Sequence, residues 1–360
     1  MNLLGQMATH DHEQVIALQN RATGLRGFLA IHDTTLGPAL GGIRLWRYAS
    51  EAEALADALR LSRAMTYKAS LAELPCGGGK VVLMNHPGLE RAEAFEGLGR
   101  VVESLGGRFF TGRDVGISDD DLAALGRATR YVACESSPEL GDISEHTAIG
   151  LWHGMRACLD TAGIASQKAR VAIQGLGSVG MWLARLLHRQ GVTLVVADLD
   201  ASRAEQARRE FGAEVVAPEK ILETPCDVLA PCALGGVISV ETARQIQARI
   251  LCGSANNILA SPEAGDELAR RGVLYAPDYL VNAGGLIRGA EFYLLGRKNS
   301  QPSLARIYER MKHVLALAAQ RAISTARVAD ELAESRLKRA KTFRDTYWPK
   351  ASPRASCSES

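Results

Sequence analysis

The sequence predicts an α/β protein of two domains, the second built on a doubly wound parallel sheet, followed by C-terminal helices. The chain has 360 residues, 47% of them hydrophobic, which is enough for two separate cores. Between residues 148 and 280, short apolar runs alternate with helical stretches. The run at 171–173 leads directly into a glycine-rich turn and a helical segment. Together these observations favour a Rossmann-type second domain.

The first region, up to about residue 146, alternates strand-like and helix-like stretches. Ser50 is a typical N-cap residue, and Glu51 and Glu53 suit the first turn of a helix. We expect this helix to run to about Met65, with one buried stripe. Further helices are expected at 90–105 and 119–126. Strands are expected at 27–32, 81–84 and 108–111.

The later regions have a different pattern. Parallel strands are expected at 171–173, 194–197, 215–217, 227–230, 250–252 and 273–275. Helices at 304–322 and 326–341 should pack back on the first domain. The predicted units are a first α/β domain at 1–146, a dinucleotide-binding domain at 147–282, C-terminal helices at 283–345 and a disordered tail at 346–360.

Composition and charge exclude several classes of protein. The formal net charge is +2 and no basic stripe is visible, so nucleic acid is not an expected partner. No apolar run approaches the roughly 20 residues that span a bilayer, and residues 1–11 lack the pattern of a secretory signal. The seven cysteines form no Cys-x-x-Cys pair, and the eight histidines show no metal-ligand spacing. We therefore expect a cytoplasmic protein without a metal or membrane partner.

The strongest local signal is the glycine pattern at 175–180. Gly175 permits a tight turn, Gly177 lets the backbone approach a pyrophosphate, and Gly180 lets helix and strand pack closely. A G-x-G-x-x-G pattern alone is weak, but here an apolar strand precedes it and a helical run follows it. Ser178 and Val179 begin that helix, where exposed N–H groups stabilise an anion.

Asp198 ends the second predicted strand of this domain. An acidic residue there accepts hydrogen bonds from ribose hydroxyls and repels a 2′-phosphate, so NAD is the predicted cofactor. The alternative is that Asp198 only caps the next turn. Arg203 follows soon after and could soften the discrimination against NADP.

Lys68, Lys80 and Asp114 are the candidates for chemistry. Lysines are usually solvated, but Lys68 closes an amphipathic helix, and Lys80 follows three glycines and enters an apolar strand. A lysine withdrawn from water beside another cation can act as a base, while a charged lysine can hold a carboxylate. Three glycines indicate close approach to a ligand. Asp114, just past a strand, is either a turn residue or a proton carrier next to Lys80.

Several sequence blocks resemble the leucine/phenylalanine/valine dehydrogenase family, with glutamate dehydrogenases as more distant relatives in fold. The resemblance extends from about residue 30 to 340. The blocks are GGIR at 41–44, LSRAMTYK at 61–68, GGGK at 77–80, DVG at 114–116, APCALG at 230–235, GSANN at 253–257 and APDYLVNAGG at 276–285.

The resemblance implies reversible NAD-dependent oxidative deamination of an apolar or aromatic L-amino acid to its 2-oxo acid. The first domain would then bind substrate and form a homo-oligomer. Lys68 would bind the substrate carboxylate, with backbone from Gly42. Lys80 would be the general base that activates water, and Asp114 would assist proton transfer.

The resemblance also places the cofactor and the substrate amine. Thr147 and Asn282 would lie near the nicotinamide carboxamide. Asn256 and Asn257 would lie near the nicotinamide ribose and the substrate amine. Ala233, within the APCALG block, is also expected to bind the cofactor.

The chain departs from the family before Thr147. Where the family commonly has Gly-Asp-Pro-Ser-Pro-x-Thr, residues 141–147 read Gly-Asp-Ile-Ser-Glu-His-Thr. Both prolines are absent, and His146 either faces solvent or takes part in catalysis. Arg113 and Arg288 replace residues that are usually uncharged or acidic. These departures bear on the substrate pocket more than on the reaction.

The resemblance places five residues at the side-chain end of the pocket: Leu40, Met65, Gly112, Leu286 and Gly289. The apolar members exclude a glutamate-like substrate, because an unpaired buried carboxylate is costly. The two glycines stand where leucine-specific members tend to carry alanine and valine. Either they leave room for phenylalanine or tryptophan, or neighbouring side chains refill the space.

Two other functions remain open at this point. A biosynthetic enzyme on the same scaffold could couple 2-oxo acids, and the altered segment before Thr147 is the feature that supports this alternative. A non-catalytic NAD-binding protein would not need Lys68, Lys80 and Asp114, all of which are present.

Overall fold

A computed structural model describes residues 2–133 and 139–347, except for the side chains of residues 344–347. Its first sheet runs in the order β1-β2-β5-β3-β6, with β4 paired to β5. Strands β1 and β2 are antiparallel, as are β2 and β5, whereas β3 and β4 lie parallel to β5. The strands are β1 (Gln14–Asn20), β2 (Leu25–Asp33), β3 (Ala39–Leu40), β4 (Ile43–Trp46), β5 (Gly77–Met84) and β6 (Phe109–Phe110).

Four helices belong to the first domain, and a fifth leads into the second. Helix α2 packs on the sheet, with Ser50 accepting the Glu53 N–H at 3.2 Å as predicted for an N-cap. The helices are α1 (Leu3–Thr9), α2 (Glu51–Leu71), α3 (Arg91–Ser104), α4 (Asp119–Gly126) and α5 (Ile143–Ala162).

The second sheet confirms the predicted Rossmann-type domain. Its strand order is β12-β11-β10-β7-β8-β9, and every pair is parallel. The strands are β7 (Arg170–Gln174), β8 (Thr193–Ala197), β9 (Glu214–Val215), β10 (Val228–Pro231), β11 (Ile250–Leu251) and β12 (Leu274–Tyr275). The helices are α6 (Ser178–Arg189), α7 (Ala201–Phe211), α8 (Val240–Gln245), α9 (Pro262–Arg270) and α10 (Asp278–Val281).

The C-terminal helices pack back on the rest of the chain, as predicted. They are α11 (Gly284–Leu295), α12 (Gln301–Arg321) and α13 (Thr325–Tyr347). Helix α12 contacts α5, and α13 crosses to α2 in the first domain. There Arg336 donates to the carbonyl oxygens of Ser70 at 3.0 Å and Leu74 at 3.1 Å. These bonds tie the last helix to the end of α2.

The glycine triplet differs from the prediction. Gly77, Gly78 and Gly79 lie inside β5 and are buried, and α2 continues six residues beyond Met65 to Leu71. A Cβ on Gly78 would lie 2.1 Å from the Thr66 backbone nitrogen. Gly78 therefore allows α2 to pack directly on β5, while Gly77 and Gly79 leave no room for a side chain beside Asp33 and Phe109. The packing of α2 on β5 brings the end of α2 against Lys80.

Helix α5 was not predicted, and the boundary placed between residues 146 and 147 falls within it. Asp142 caps this helix by accepting the Ser144 N–H at 2.7 Å. The predicted domain limits remain a prediction. The tail predicted at 346–360 lies outside the described residues from 348 onward.

Candidate active site

A cleft of about 370 Å³ lies between the two sheets. It collects residues that are far apart in sequence, from α2, β5, the segment after β6, α5 and α11. Fourteen of the residues singled out in the sequence line it: Leu40, Gly42, Met65, Lys68, Lys80, Gly112, Asp114, Thr147, Val179, Asn256, Asn257, Asn282, Leu286 and Gly289.

A buried ion pair occupies one wall of the cleft. Lys80 is 5% exposed, and its Nζ lies 2.6 Å from Asp114 Oδ2. Arg44 Nε lies 3.4 Å from the same oxygen. Burial alone would raise the pKa of the Asp114 carboxyl, but Lys80 and Arg44 outweigh it and hold that pKa below its usual range. Asp114 is therefore an ionised carboxylate in direct contact with an amine that can carry or release a proton.

Gly42 holds this pair in place by having no side chain. A Cβ on Gly42 would lie 2.7 Å from the Arg113 carbonyl oxygen and 2.9 Å from the Asp114 Cβ. Any larger residue would push Asp114 away from Lys80. The GGIR block thus fixes the geometry of the ion pair and supplies Arg44.

Lys68 lies in the last turn of α2 and faces the same cleft. Its Nζ donates to Asn256 Oδ1 at 3.1 Å. The pKa of the Lys68 ammonium is lowered to about 8, chiefly by burial and in part by Lys80, while Asp278 and Asp114 oppose the fall. Below pH 8 the site therefore presents a positive charge for a carboxylate.

Two polar residues, Thr147 on α5 and Asn282 after α10, line the cleft close to the start of α11. Asn282 donates through Nδ2 to Asn256 Oδ1 at 3.0 Å and to the Ser254 carbonyl oxygen at 3.1 Å. Its buried Oδ1 has no hydrogen-bond partner among the described residues. Thr147 Oγ1 accepts the Gly285 N–H at 3.1 Å. Asn282 Oδ1 is thus a buried acceptor without a partner among the described residues, on a residue that lines the cleft.

The glycine turn after β7 has the predicted form. Gly175 has a φ of +92°, and a Cβ on Gly180 would lie 2.0 Å from the Gly175 carbonyl oxygen. A Cβ on Gly177 would meet nothing within 4 Å, so its backbone faces open space. Ser178 and Val179 begin α6 beyond it, and Ala233 lies against Gly175 at the end of β10.

Asp198 follows β8 and takes the turn-capping role, which the sequence left open as the alternative to ribose binding. Its Oδ2 accepts the Leu176 N–H of the glycine turn at 2.5 Å, and its Oδ1 accepts the Asp200 N–H at 2.8 Å. The carboxylate therefore ties the end of β8 to the glycine turn, and its contact with a ribose remains a prediction. Arg203 pairs with Asp200 at 3.3 Å.

The side-chain end of the cleft contains open space. A Cβ on Gly289 would meet nothing within 4 Å, whereas one on Gly112 would lie 3.2 Å from the Ala133 Cβ. Neighbouring side chains thus close in at Gly112 but not at Gly289. Leu40, Met65 and Leu286 make the surrounding wall apolar.

The sequence departures lie mostly outside the cleft. Ile143 and Thr147 line it, but Glu145 and His146 are not among its lining residues. Arg288 is 2% exposed and donates to the carbonyl oxygen of Leu140 at 2.7 Å, which ties α11 to the segment before α5. Arg113 lines the cleft and forms an ion pair with Asp119.

Sequence reasoning assigned no role to three features of the site. Asp278, in the APDY segment, is buried in the cleft wall. Arg44 was recognised only as a member of the GGIR block. Leu199 and Leu234, at the ends of β8 and β10, are 93% and 73% exposed and flank the strand that carries the glycine turn. Two exposed leucines at the ends of buried strands could have indicated an apolar ligand surface.

Among the helices of residues 2–133 and 139–347, none combines the length and apolar character that a membrane crossing requires. Within that part of the chain, no group of three or more His, Cys, Asp or Glu side chains is arranged to hold a metal ion. The five cysteines that the structure describes are unpaired.

The fold and the site define a two-domain dehydrogenase of the dinucleotide-dependent class, with a charged cleft between the domains. The chain belongs to the glutamate/leucine/phenylalanine/valine dehydrogenase family. Residues 12–131 match the family's dimerisation domain, and residues 141–202 and 199–336 match its main dehydrogenase domain. The chain is therefore an amino-acid dehydrogenase.

Relatives of known activity match over nearly the whole chain. A leucine dehydrogenase of Geobacillus stearothermophilus is 43% identical over 354 residues, covering 96% of each chain. An L-tryptophan dehydrogenase of Nostoc punctiforme is 40% identical and covers 92% of this chain and 94% of its own. A phenylalanine dehydrogenase of Bacillus thermotolerans is 40% identical and covers 91% and 89%.

Solved structures show the same fold. The crystal structure of L-tryptophan dehydrogenase from Nostoc punctiforme superposes with a TM-score of 0.81 at 38% identity, covering 94% of this chain and 99% of that one. A hetero-hexameric glutamate dehydrogenase from Thermus thermophilus superposes with a TM-score of 0.76 at 25% identity, covering 95% and 91%.

Proposed function

We propose that this protein catalyses reversible, NAD-dependent oxidative deamination of an apolar or aromatic L-amino acid. The products are the 2-oxo acid, ammonium, NADH and a proton, and one water is consumed. The observation that carries the proposal is the Lys80–Asp114 ion pair, which shares an otherwise apolar cleft with Lys68.

Substrate orientation follows from the charges. The Lys68 ammonium binds the substrate carboxylate, and the backbone at Gly42 approaches it because no side chain intervenes. Asn257 lies on the opposite wall, where its side chain can accept from the substrate amine. The Cα then lies between Lys80 and the second domain, so orientation contributes to the rate.

Proton transfer falls to Lys80 and Asp114. When bound, NAD takes up the hydride from the substrate Cα. Lys80 removes a proton from the water that attacks the imino carbon. Asp114, in contact with Lys80, shares that proton and helps return it to the departing ammonia. Lys80 is buried and Asp114 is half-buried, which limits the access of bulk water to the pair.

Four features of the chain fit a nicotinamide dinucleotide. Gly177 leaves open space at the start of α6, where a pyrophosphate binds to helix N–H groups. Asn282 Oδ1 is a buried acceptor that a carboxamide N–H would satisfy. Asp198 accepts ribose hydroxyls and repels a 2′-phosphate, which favours NAD over NADP. Leu199 and Leu234 provide apolar surface for the adenine.

The side-chain pocket suits a large apolar group. Its wall of Leu40, Met65 and Leu286 offers no partner to a carboxylate, which disfavours a glutamate-like substrate. The open space at Gly289 leaves room for an aromatic ring. Relatives that act on leucine, tryptophan and phenylalanine support this range of side chains.

The proposal is tested by measuring NADH formation across the twenty L-amino acids, with NAD and NADP in parallel. We expect clear rates with NAD for large apolar and aromatic amino acids, and none for glutamate. Gly289→Val should depress the rates for phenylalanine and tryptophan more than for leucine, by roughly 10-fold or more, because it fills the open space. No rate with any amino acid, in protein shown to bind NAD, would favour the coupling of 2-oxo acids instead.

We also propose that the protein is a cytoplasmic homo-oligomer assembled through the first domain. The match of residues 12–131 to a dimerisation domain supports this assembly. Light scattering should therefore give a mass at least twice the 38.6 kDa of one chain. A mass near 38.6 kDa at micromolar concentration would contradict the proposal.

A further inference from the structure

Asp278 is a buried aspartate in the cleft wall, and two hydrogen-bond donors hold its side-chain carboxylate. It begins α10 and is 5% exposed. Its Oδ1 accepts the Tyr275 hydroxyl at 2.8 Å, and its Oδ2 accepts the backbone N–H of Asn257. Two donors on one carboxylate favour its charged form. The side chain is therefore held in one orientation from both sides.

The bond to Asn257 stabilises an uncommon backbone conformation. Asn257 has a φ of +54°, in the left-handed region that non-glycine residues seldom adopt. Its carbonyl oxygen accepts the Gly236 N–H at 2.7 Å, so the peptide is held on both sides. The neighbouring Asn256 is thereby placed where its Oδ1 accepts from Lys68 at 3.1 Å. Asp278 thus fixes the turn on which a partner of Lys68 is carried.

Asp278 and Lys68 line the same cleft, and the negative charge of Asp278 favours the Lys68 ammonium. The carboxylate of Asp114 is already paired with Lys80 at 2.6 Å. Among the described residues, no carboxylate lies within ion-pair distance of Lys68, whose hydrogen-bond acceptor is the neutral amide of Asn256. An ammonium that is half-buried and has no counter-charge is costly. The charged and titratable groups that face Lys68 or Asp278 are Lys80 on β5, Asp114 after β6, Tyr275 on β12, Tyr279 on α10 and Asp330 on α13.

The directions of the pKa shifts agree with this geometry. Burial lowers the pKa of Lys68 to about 8, and Asp278 is the strongest of the charges that oppose the fall. Burial raises the pKa of the Asp278 carboxyl, while the Tyr275 hydroxyl and Lys68 oppose that rise. Each group therefore favours the charged form of the other.

We infer that Asp278 is a positioning residue whose charge keeps the Lys68 ammonium protonated, so that the cleft binds a carboxylate at the alkaline end of its working range. This inference rests on the proposed function, in which Lys68 receives the substrate carboxylate. Asp278 itself acts through Lys68 and Asn257.

The test is the pH dependence of carboxylate binding in Asp278→Asn. The probes are 4-methylpentanoate and 3-phenylpropionate, which lack an amine and stay ionised from pH 6 to 10. Calorimetry with NADH present should show native affinity falling as pH rises through about 8, as Lys68 loses its proton. In Asp278→Asn that fall should move down by about one pH unit or more, with affinity retained at pH 6.

Tyr275→Phe is the matched control. It removes a hydrogen bond from the same carboxylate and leaves the charge in place, so the midpoint should not move downward. A merely structural role for Asp278 would weaken binding equally at every pH without moving the midpoint. That result, or superimposable profiles for Asp278→Asn and native protein, would overturn the inference.

If Asp278→Asn does not fold, the interaction between Asp278 and Lys68 can be measured by changing Lys68 instead. In protein with ¹³C-labelled aspartate, Lys68→Met should raise the pKa of the Asp278 carboxyl; an unchanged value would overturn the inference. Neither calorimetry nor NMR requires turnover. Failure of the proposed function would appear as absent NADH formation, which is a separate result.

Discussion

Lys80→Ala should lower kcat by roughly 10²- to 10⁴-fold, which is the usual contribution of a positioned general base. The amine lies 2.6 Å from Asp114 and is 5% exposed, so bulk water cannot readily replace it. The loss should appear mainly in kcat, because the base acts in the chemical step. Stopped-flow measurement of the first turnover separates that step from product release.

Two comparisons make the Lys80 result specific. NAD affinity, measured by fluorescence titration, should be unchanged, because Lys80 lies in the first domain and the glycine turn lies in the second. Lys220→Ala removes an ammonium from an exposed position outside the cleft and should leave kcat at the native value. Near-native turnover in Lys80→Ala would show that another group is the base.

The fold of the second domain could be predicted from the sequence because the residue patterns that indicate it are local. An apolar strand, a glycine turn and a helix follow one another within 170–189, and each step has its own residue pattern. The parallel order of the six strands then follows from right-handed strand–helix units. Strand β3 was not predicted, and β9 begins one residue before the predicted strand at 215–217.

Helix α5 could not be predicted, because its packing requirement opposes its local preference. Gly150 and Gly154 lower helix propensity. Tertiary packing requires glycine at both positions. A Cβ on Gly154 would lie 2.3 Å from Val281 Cγ1, and one on Gly150 would lie 2.8 Å from Ile307 Cδ1. The glycines let α5 approach α10 and α12 closely, which only the assembled fold reveals.

The site was predictable where a motif placed a residue and unpredictable where function depends on distant contacts. Lys68, Lys80 and Asp114 stand in distinctive blocks, and the structure brings them to one cleft. Asp278 stands in an equally distinctive block, but its effect on Lys68 depends on how two domains face each other. The open space at Gly289 is likewise a property of its neighbours.

Lys68→Ala should raise KM for the amino acid by roughly 10- to 150-fold, the equivalent of about 1.5–3 kcal/mol for a hydrogen bond between charged groups. The carboxylate does not change during the reaction, so Lys68 binds ground state and transition state alike. kcat at saturating substrate should therefore fall much less than in Lys80→Ala. Steady-state kinetics at pH 7, where Lys68 carries its proton in the native enzyme, measures both quantities.

The pH profile of the same variant separates charge from shape. In the native enzyme KM should rise as pH increases through about 8, because the Lys68 ammonium is progressively lost. A bound carboxylate favours the protonated form, so the rise reports the free enzyme and not the complex. In Lys68→Ala this rise should disappear. A kcat loss as large as that of Lys80→Ala, or a KM rise that persists above pH 8, would mean that Lys68 takes part in chemistry and that another cation holds the carboxylate.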